Sequence, residues 1–273
     1  MFKIKPILAI QAILFLSACG IHDFEPDLIF PQQNEDEYQS EEAFCQSNPN
    51  SGIWLKLFNR DADGNITKET TFVNNLPDME IASKYNNGQQ VNDSAFYYVS
   101  GNRTLQYSHQ YLYERNRITE IQRFEPNGTI SHKTVYKYYS DKPRWEEFWY
   151  FSNNEWKFQY AHRFEFNRDG KLAKKESFQT EEKNKVYDTF LYAYKNGKLV
   201  EEKRIIRTGA TSYVIKYTYN RDGTLDEKIQ DGNVIEKNFY KNGKLSEKHT
   251  FYFGIDPGFS QCLGNFIFKY DYQ

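Results

Sequence analysis

The sequence predicts an all-β protein, an antiparallel meander of repeated β-hairpins that forms one extended, twisted and curved sheet. Three observations predict this fold class. The hexapeptide Tyr-Lys-Asn-Gly-Lys-Leu occurs twice, at 194–199 and 240–245. Related turns recur along the chain at intervals of 20 to 28 residues, which is typical of a repeated supersecondary unit. Aromatic residues make up 18% of the chain, and they favour pleated, half-buried surfaces.

The first 18 residues have the pattern of a signal peptide. Lys3 and Lys5 are followed by an apolar run, 6–16, that is too short for a stable membrane-spanning helix. The run ends in Leu-Ser-Ala-Cys at 16–19, which resembles the bacterial lipobox. The resemblance implies that the chain is cut before Cys19, which then carries acyl chains that anchor it in the membrane. Since glycine follows the cysteine, the resemblance also implies the outer membrane. The alternative is an ordinary signal peptide with an incidental cysteine.

The next segment, 19–50, is predicted to be a flexible acidic tether. Between residues 20 and 50 there are eight Asp or Glu and no Lys or Arg, with three prolines among them. The repeat domain is then predicted to span 51–273. The whole chain has a formal net charge of −2, so it has no basic field that would hold nucleic acid.

The repeated hexapeptide predicts a hairpin with a two-residue loop. Asn-Gly between strand-forming residues favours a type I′ turn, because both central positions need positive φ. Lys195 then pairs with Lys198, and Tyr194 lies opposite Leu199. Extended along the strands, this register places Tyr194 on one face with Glu201 and Lys203. Mixed faces of this kind predict a single curved layer rather than a thick core.

Near-copies of the hexapeptide predict further hairpins with longer loops. In each, an aromatic residue precedes the turn and an aliphatic residue follows it, so the two lie opposite each other. The predicted pairs are Phe166–Leu172, Tyr219–Leu225, Tyr113–Ile118 and Phe124–Ile130. The predicted turn centres are Gly64, Gly88, Asn116, Lys142, Gly170, Gly197, Gly223 and Gly243, with Gly128 as an additional turn outside this period.

The turn pattern over about 53–250 resembles the YD repeats of Rhs-type bacterial surface and toxin-shell proteins. It also resembles antitoxin-type repeats rich in Asn-Gly-Lys-Leu turns. The Tyr-Asp pair of the first family is absent from the best turns, which read Tyr-Lys or Tyr-Asn. The resemblance implies an extended, twisted sheet that wraps around a space or presents a long face to a partner.

Two cysteines remain after Cys19. Cys45 precedes the repeats and Cys262 follows them, in a compartment that permits disulfides. A bond between them is therefore expected, and it would bring the two ends of the array together. The alternatives are two separate thiols, or a bridge made only because the terminal segment folds back along one edge.

The motifs in the sequence do not predict an enzyme. The stretch that contains Asn59, Asp61 and Asp63 imitates the start of an EF-hand loop, but Thr70 stands where a bidentate glutamate is needed. It is interpreted as a lengthened hairpin turn in which Phe58 faces Ile66, and only weakly as a metal loop. No catalytic motif, cofactor motif or close histidine spacing occurs, so no cofactor is expected.

The densest aromatic cluster contains Trp145, Trp149 and Trp156. If exposed, these rings are candidates for binding a glycan or a protein, and if buried they are ordinary sheet packing. The functional hypothesis is a lipid-anchored, non-enzymatic module that binds an envelope protein or glycan. The first alternative is a periplasmic immunity or antitoxin-like protein that neutralises an effector. The second is an envelope hydrolase that uses two carboxylates.

Overall fold

The computed structural model describes residues 39–45, 48–251 and 265–272, and the regular elements within these ranges are all β-strands. The all-β prediction is therefore confirmed for this part of the chain. No helix of membrane-spanning length and hydropathy occurs in it. The predicted signal peptide, the acylated Cys19 and Cys262 lie outside the described residues, as does the part of the predicted tether that precedes residue 39.

Eighteen strands are present in the described ranges. They are β1 (Ser40–Cys45), β2 (Asn48–Arg60), β3 (Ile66–Val73), β4 (Leu76–Asn86), β5 (Gln89–Val99), β6 (Asn102–Glu114), β7 (Arg117–Phe124), β8 (Ile130–Tyr139), β9 (Lys142–Ser152), β10 (Glu155–Phe166), β11 (Leu172–Phe178), β12 (Val186–Lys195), β13 (Lys198–Ile206), β14 (Thr211–Tyr219), β15 (Leu225–Gln230), β16 (Asn233–Lys241), β17 (Lys244–Phe251) and β18 (Asn265–Asp271).

The sheet is a closed barrel, so the prediction of an open, extended sheet was wrong on this point. Each strand pairs antiparallel with the next along the chain, and β1 pairs with both β2 and β18. Closure gives the first and last strands hydrogen-bonding partners that they would lack as sheet edges.

Strand β1 closes the barrel, and it lies within the range that was interpreted as a tether. Its two acidic residues made Ser40–Cys45 resemble the acidic segment before it. In the barrel, Glu41 lies directly opposite Lys56 of β2, and Glu42 lies opposite Lys269 of β18. Opposite charges across neighbouring strands are favourable, so the acidic residues suit this position.

The turns predicted from the repeat period all lie at one end of the barrel, which we call the first rim. Asn196 and Gly197 have φ values of 51° and 79°, and Asn242 and Gly243 have 54° and 78°, as a type I′ turn requires. The turn predicted at Lys142 is centred slightly earlier, since β9 begins at that residue. Gly128 lies outside the period because its turn is at the second rim, between β7 and β8.

A row of cations links neighbouring hairpins along the first rim. The first residue after one turn donates a hydrogen bond to a backbone carbonyl in the next first-rim turn, at 2.5 Å from Lys142 and 2.8 Å from Lys198. We call this row the rim ladder. Its bonds run from Arg117 to Ser140, from Lys142 to Gly170, from Lys171 to Gly197 and from Lys198 to Gly223.

The rim ladder gives the hexapeptide at 194–199 a role in linking neighbouring hairpins. Lys198 lies over the ring of Tyr219 in the next hairpin, 4.9 Å from its centroid. The Tyr219 hydroxyl donates in return to the carbonyl of Leu199, at 2.7 Å. The copy at 194–199 therefore supplies Tyr194 to the preceding unit and Lys198 to the following one. Cation–π contacts of this kind contribute about 0.5–1 kcal/mol when exposed.

The pairing predicted next to the turns is confirmed, but the register farther along the strands is not. Tyr194 lies opposite Leu199, and the predicted pairs Phe166–Leu172, Tyr219–Leu225, Tyr113–Ile118 and Phe124–Ile130 also form, whereas Phe58–Ile66 does not. A β-bulge between Ala193 and Tyr194 then shifts the register by one residue. Tyr192 therefore faces Glu202, and the predicted neighbours Glu201 and Lys203 lie on the other face.

The apolar core cluster lies on one face of the sheet. The side that carries Tyr111, Tyr136, Tyr192, Tyr217 and Tyr270 is called the tyrosine face. It contains the apolar core cluster of Phe164, Leu172 and Tyr192, against which the predicted pairs Phe166–Leu172 and Tyr194–Leu199 pack. The core thus lies beside the first rim, on the tyrosine face of β10 to β13.

The opposite face buries carboxylates in cross-strand ion pairs. Glu147 accepts from Lys137 at 2.6 Å and pairs with Lys183 at 3.1 Å. Although burial opposes ionisation, these two ammonium groups hold the pKa of Glu147 below its ordinary value. Glu80 and Glu176 are buried in the same way, each between two cations.

Candidate functional site

A cavity of about 720 Å³ opens on the tyrosine face across β10 to β13. A volume of this size lies within the range of small-molecule sites. Its lining combines aromatic rings with both signs of charge. The lining residues used below are Tyr160, His162, Lys175, Tyr187, Asp188 and Arg204.

Strand register brings these side chains together. His162, Ser177 and Asp188 form one row across three strands, because each lies directly opposite the next. Lys175 and Arg204 form a second row with Phe190 between them, and their charged groups lie 4.8 and 5.7 Å from the centroid of that ring. Residues in register share a face, so both rows point to the same side of the sheet.

A β-bulge adds Tyr187 to the lining. Ser177 pairs with Asp188 and Phe178 pairs with Val186, so Tyr187 has no residue directly opposite on β11. Bulges of this kind redirect side chains and are common beside functional sites. Tyr187 is 38% exposed, and it therefore offers an accessible ring next to the buried Asp188.

Beside the cavity, a buried carboxylate holds His162 in place. Glu146 is 1% exposed, accepts a hydrogen bond from the Tyr136 hydroxyl at 2.9 Å and lies 3.1 Å from Nδ1 of His162. Burial and the neighbouring Glu146 raise the pKa of Tyr136 well above its ordinary value, so this tyrosine stays a neutral donor. Both oxygens of Glu146 therefore have partners, and the orientation of the imidazole is fixed.

Asp188 and Arg204 are only half satisfied. Oδ2 of Asp188 accepts from Nη2 of Arg204 at 2.8 Å, and this bond raises the pKa of the guanidinium. Oδ1 of Asp188 and Nε of Arg204 are buried and have no hydrogen-bond partner. Buried polar atoms normally have partners, so the pair retains one acceptor and one donor for a further group.

A second carboxylate cluster occupies the equivalent position two hairpins earlier. Asp93 and His109 precede Glu146 and His162 by 53 residues each and form the same cross-strand pair. Here the carboxylate accepts from Tyr111 at 2.5 Å and from Gln90 at 3.2 Å, and lies 2.9 Å from His109. Both of its oxygens are used.

The predicted tryptophans lie on the opposite face and none of them lines the cavity, although Trp145 packs against Phe178, which does. Trp149 packs edge-on to Phe158, and Trp156 lies under the ammonium group of Lys133 at 4.4 Å. Trp145 contacts Phe178 at a centroid distance of 5.3 Å. All three are half-buried, and their role in binding a glycan or a protein stays a prediction.

The cluster predicted from sequence is also divided between the two faces. Phe148 lies on the tyrosine face, where it stacks on Tyr160 with ring centroids 4.1 Å apart. Sequence reasoning missed the cavity residues, above all Asp188 and Arg204. The one available signal was the recurrence of an acid and a histidine at the same spacing, as Asp93 with His109 and Glu146 with His162.

The weak candidate metal loop is a hairpin turn. The carboxylate of Asp61 accepts from the backbone N–H of Asp63 and from the Asn65 side chain, at 3.0 and 2.9 Å. The Asn65 side chain is the main cause of the lowered pKa of Asp61. Asn59 belongs to β2, and the turn pairs Arg60 with Ile66, so the predicted pairing of Phe58 with Ile66 was wrong. No set of three metal-ligating side chains converges in the described residues.

The cysteine predictions stay predictions. The backbone of Cys45 lies in β1 opposite Phe266 of β18, so the first and last strands do meet. Cys262 precedes β18 in the sequence but lies outside the described residues. Neither the bond to Cys45 nor the acylation of Cys19 is tested by the described part of the chain.

No protein-family model and no curated protein matches this sequence. Among solved structures, the chain is similar to a porin-like protein from Bacteroides uniformis, with 10% identity and a TM-score of 0.44, over 86% of this chain and 98% of the other. A porin-like protein from Bacteroides vulgatus gives 13% identity and a TM-score of 0.40 over the same shares. The Photorhabdus luminescens Tc holotoxin pore gives 13% and 0.34, over 73% of this chain and 14% of the other. At these TM-scores the similarities carry no argument about function.

Proposed function

We propose that this protein is a non-enzymatic binding module of the bacterial cell envelope that holds a glycan in the cavity of β10 to β13. The observation that carries the proposal is the joint presence of an accessible ring, Tyr187, and the half-satisfied pair of Asp188 and Arg204. Aromatic rings provide a flat apolar surface, and a few placed polar groups fix orientation.

The place of action in this proposal is the outer membrane, with the chain anchored through acylated Cys19. The signal-peptide pattern of 1–18 and the lipobox-like sequence at 16–19 support it. The cavity favours a glycan over a protein partner because the site is concave and lined by both charges, whereas protein interfaces concentrate apolar anchors at their centre. Asp188 is the one carboxylate among the described lining residues, so the lining does not present the carboxylate pair of a typical glycosidase.

The proposal is tested by screening the full chain against an array of bacterial envelope glycans. Tyr187→Ala removes the accessible ring at the cavity, and Phe239→Ala is the matched control because Phe239 is equally exposed, at 39% against 38%, but lies outside the cavity. We expect binding that falls at least tenfold in Tyr187→Ala and is unchanged in Phe239→Ala. An array without any bound glycan, or equal binding by both variants, would contradict the proposal.

A further inference from the structure

We infer that Asp188 and Arg204 recognise a pair of neighbouring hydroxyl groups, so that the ligand is a neutral sugar rather than an acidic one. This inference rests on the proposed function and specifies its ligand. Asp188 is 7% exposed and keeps Oδ1 without a partner, while Nε of Arg204 is a buried donor without a partner. Nη2 of Arg204 donates to Oδ2 of Asp188, so the unpartnered acceptor and the unpartnered donor belong to one hydrogen-bonded pair of side chains.

Hydroxyl groups match this pair because each can donate one hydrogen bond and accept others. One hydroxyl can donate to Oδ1 of Asp188 while its neighbour accepts from Nε of Arg204. A ligand carboxylate could only accept and an ammonium group could only donate, so either would leave one of the two atoms unsatisfied. Both atoms are shielded in this structure, so binding in this way requires the two side chains to rotate toward the ligand.

The charges around the cavity also favour a neutral ligand. Lys175 and Arg204 are balanced by Asp188 in the lining and by Glu146 behind His162. A site without a surplus of positive charge provides no net attraction for an anionic sugar.

Tyr187 completes the recognition element. The bulge that leaves it without a cross-strand partner places its ring next to Asp188 in the lining. A sugar ring stacked on Tyr187 would therefore turn its edge, which carries the hydroxyl groups, toward Asp188 and Arg204. The apolar contact and the polar contacts come from consecutive residues of one strand, so they are rigidly related.

The test titrates the full chain with neutral hexose oligosaccharides and with oligouronates of the same length. We expect the neutral ligands to bind at least tenfold more tightly. Asp188→Asn replaces one carboxylate oxygen by an amide donor and should weaken neutral-sugar binding at least tenfold. Asp93→Asn changes a buried carboxylate outside the cavity and should leave the affinity unchanged.

Arg204→Lys serves as a second variant, because the side chain of Arg204 is partly exposed and its replacement by lysine is compatible with folding. It keeps the charge but removes the Nε donor, so it should also weaken binding of the neutral ligands at least tenfold. Tighter binding of oligouronates, or full affinity for neutral sugars in Arg204→Lys, would overturn the inference while leaving glycan binding intact. Absence of binding to both ligand classes would instead contradict the proposed function itself.

Discussion

The clusters around Asp93 and Glu146 occupy equivalent positions in the repeat but differ in their surroundings. At Asp93 the network is closed, since Tyr111, His109 and Gln90 engage both carboxylate oxygens. At Glu146 the carboxylate is also satisfied, but the next strands add Asp188 with an unpartnered oxygen and a cavity in front of it. The comparison indicates that the repeat supplies a stable buried network and that a departure from it creates the candidate site.

The rim ladder also distinguishes the region of the cavity from the region of Asp93. It runs from Arg117 to Gly223 and so covers the hairpins that contain the cavity, whereas the hairpin of β4 and β5 precedes it. A region with unpartnered buried groups is less stable for that reason, and extra bonds elsewhere can offset the cost. We interpret the ladder as stabilising the half of the barrel that carries the site.

The largest effect is expected on the free energy of unfolding, when the buried aspartates Asp93 and Asp188 are each replaced by alanine. Asp93→Ala leaves the Tyr111 hydroxyl, His109 and Gln90 without their acceptor, and each buried unsatisfied group costs about 1–3 kcal/mol. We expect the free energy of unfolding to fall by about 3 kcal/mol or more. Asp188→Ala removes one bond to a partly exposed guanidinium and one unsatisfied oxygen, so about 1 kcal/mol is expected.

Urea denaturation of both variants measures this difference. Equal losses would show that the two carboxylates are equally important for folding and would remove the contrast between a structural cluster and a site. The slope of the unfolding transition should be unchanged in both variants, because neither alters the surface exposed on unfolding.

The next effect concerns alkaline pH. Burial and the adjacent carboxylates raise the pKa of Tyr111 and of Tyr136 above the ordinary value of about 10. The folded protein therefore retains these protons while the unfolded chain loses them. Their contribution to stability is complete below about pH 10 and is lost as the pH rises above it.

The measurement is thermal unfolding between neutral and strongly alkaline pH, with tyrosinate absorbance recorded in parallel. Tyr111→Phe and Tyr136→Phe should each show a weaker loss of stability with rising pH than the wild type. If both hydroxyls ionise in the folded protein near pH 10, the closed networks described for Asp93 and Glu146 are wrong.

Much of the first rim could be predicted from sequence, and little of the cavity could. Asn196 and Gly197 fix a turn locally, and the turn determines that Tyr194 faces Leu199. The bulge between Ala193 and Tyr194 recurs beside other first-rim turns but is not specified by Asn-Gly itself, and it reverses the faces predicted for the later residues of β13. The cavity depends on several such shifts, so its composition could not be derived from alternation.

Closure of the barrel was missed for a different reason. Ser40–Cys45 has the composition of a tether, and its strand character depends on Lys56 and Lys269, which are distant in sequence. Local propensity cannot reveal a strand that is stabilised by partners at both ends of the chain. The meeting of β1 and β18 is therefore a tertiary property.

The variant with the smallest expected effect tests whether the rim ladder can be extended beyond Gly223. Thr224 occupies the position that Lys171 has in the related loop, and it bonds within its own turn to Asp222 at 2.7 Å. Thr224→Lys should place an ammonium group near Gly243 and the ring of Tyr240, as Lys198 lies near Gly223 and Tyr219.

Because one local bond is lost, we expect a net gain of about 0.3–1 kcal/mol in the free energy of unfolding. Lys171→Ala is the reciprocal change, and it should lose a similar amount because it removes the bond to Gly197 and the contact with Tyr194. Both variants are measured by urea denaturation.

A stabilised Thr224→Lys would show that the ladder is a transferable property of the repeat, since the same bond would then form in a hairpin that natively lacks it. Destabilisation of Thr224→Lys together with an unchanged Lys171→Ala would mean that the ladder contributes nothing, and the stability of the cavity half would have to come from the core of Phe164, Leu172 and Tyr192 alone.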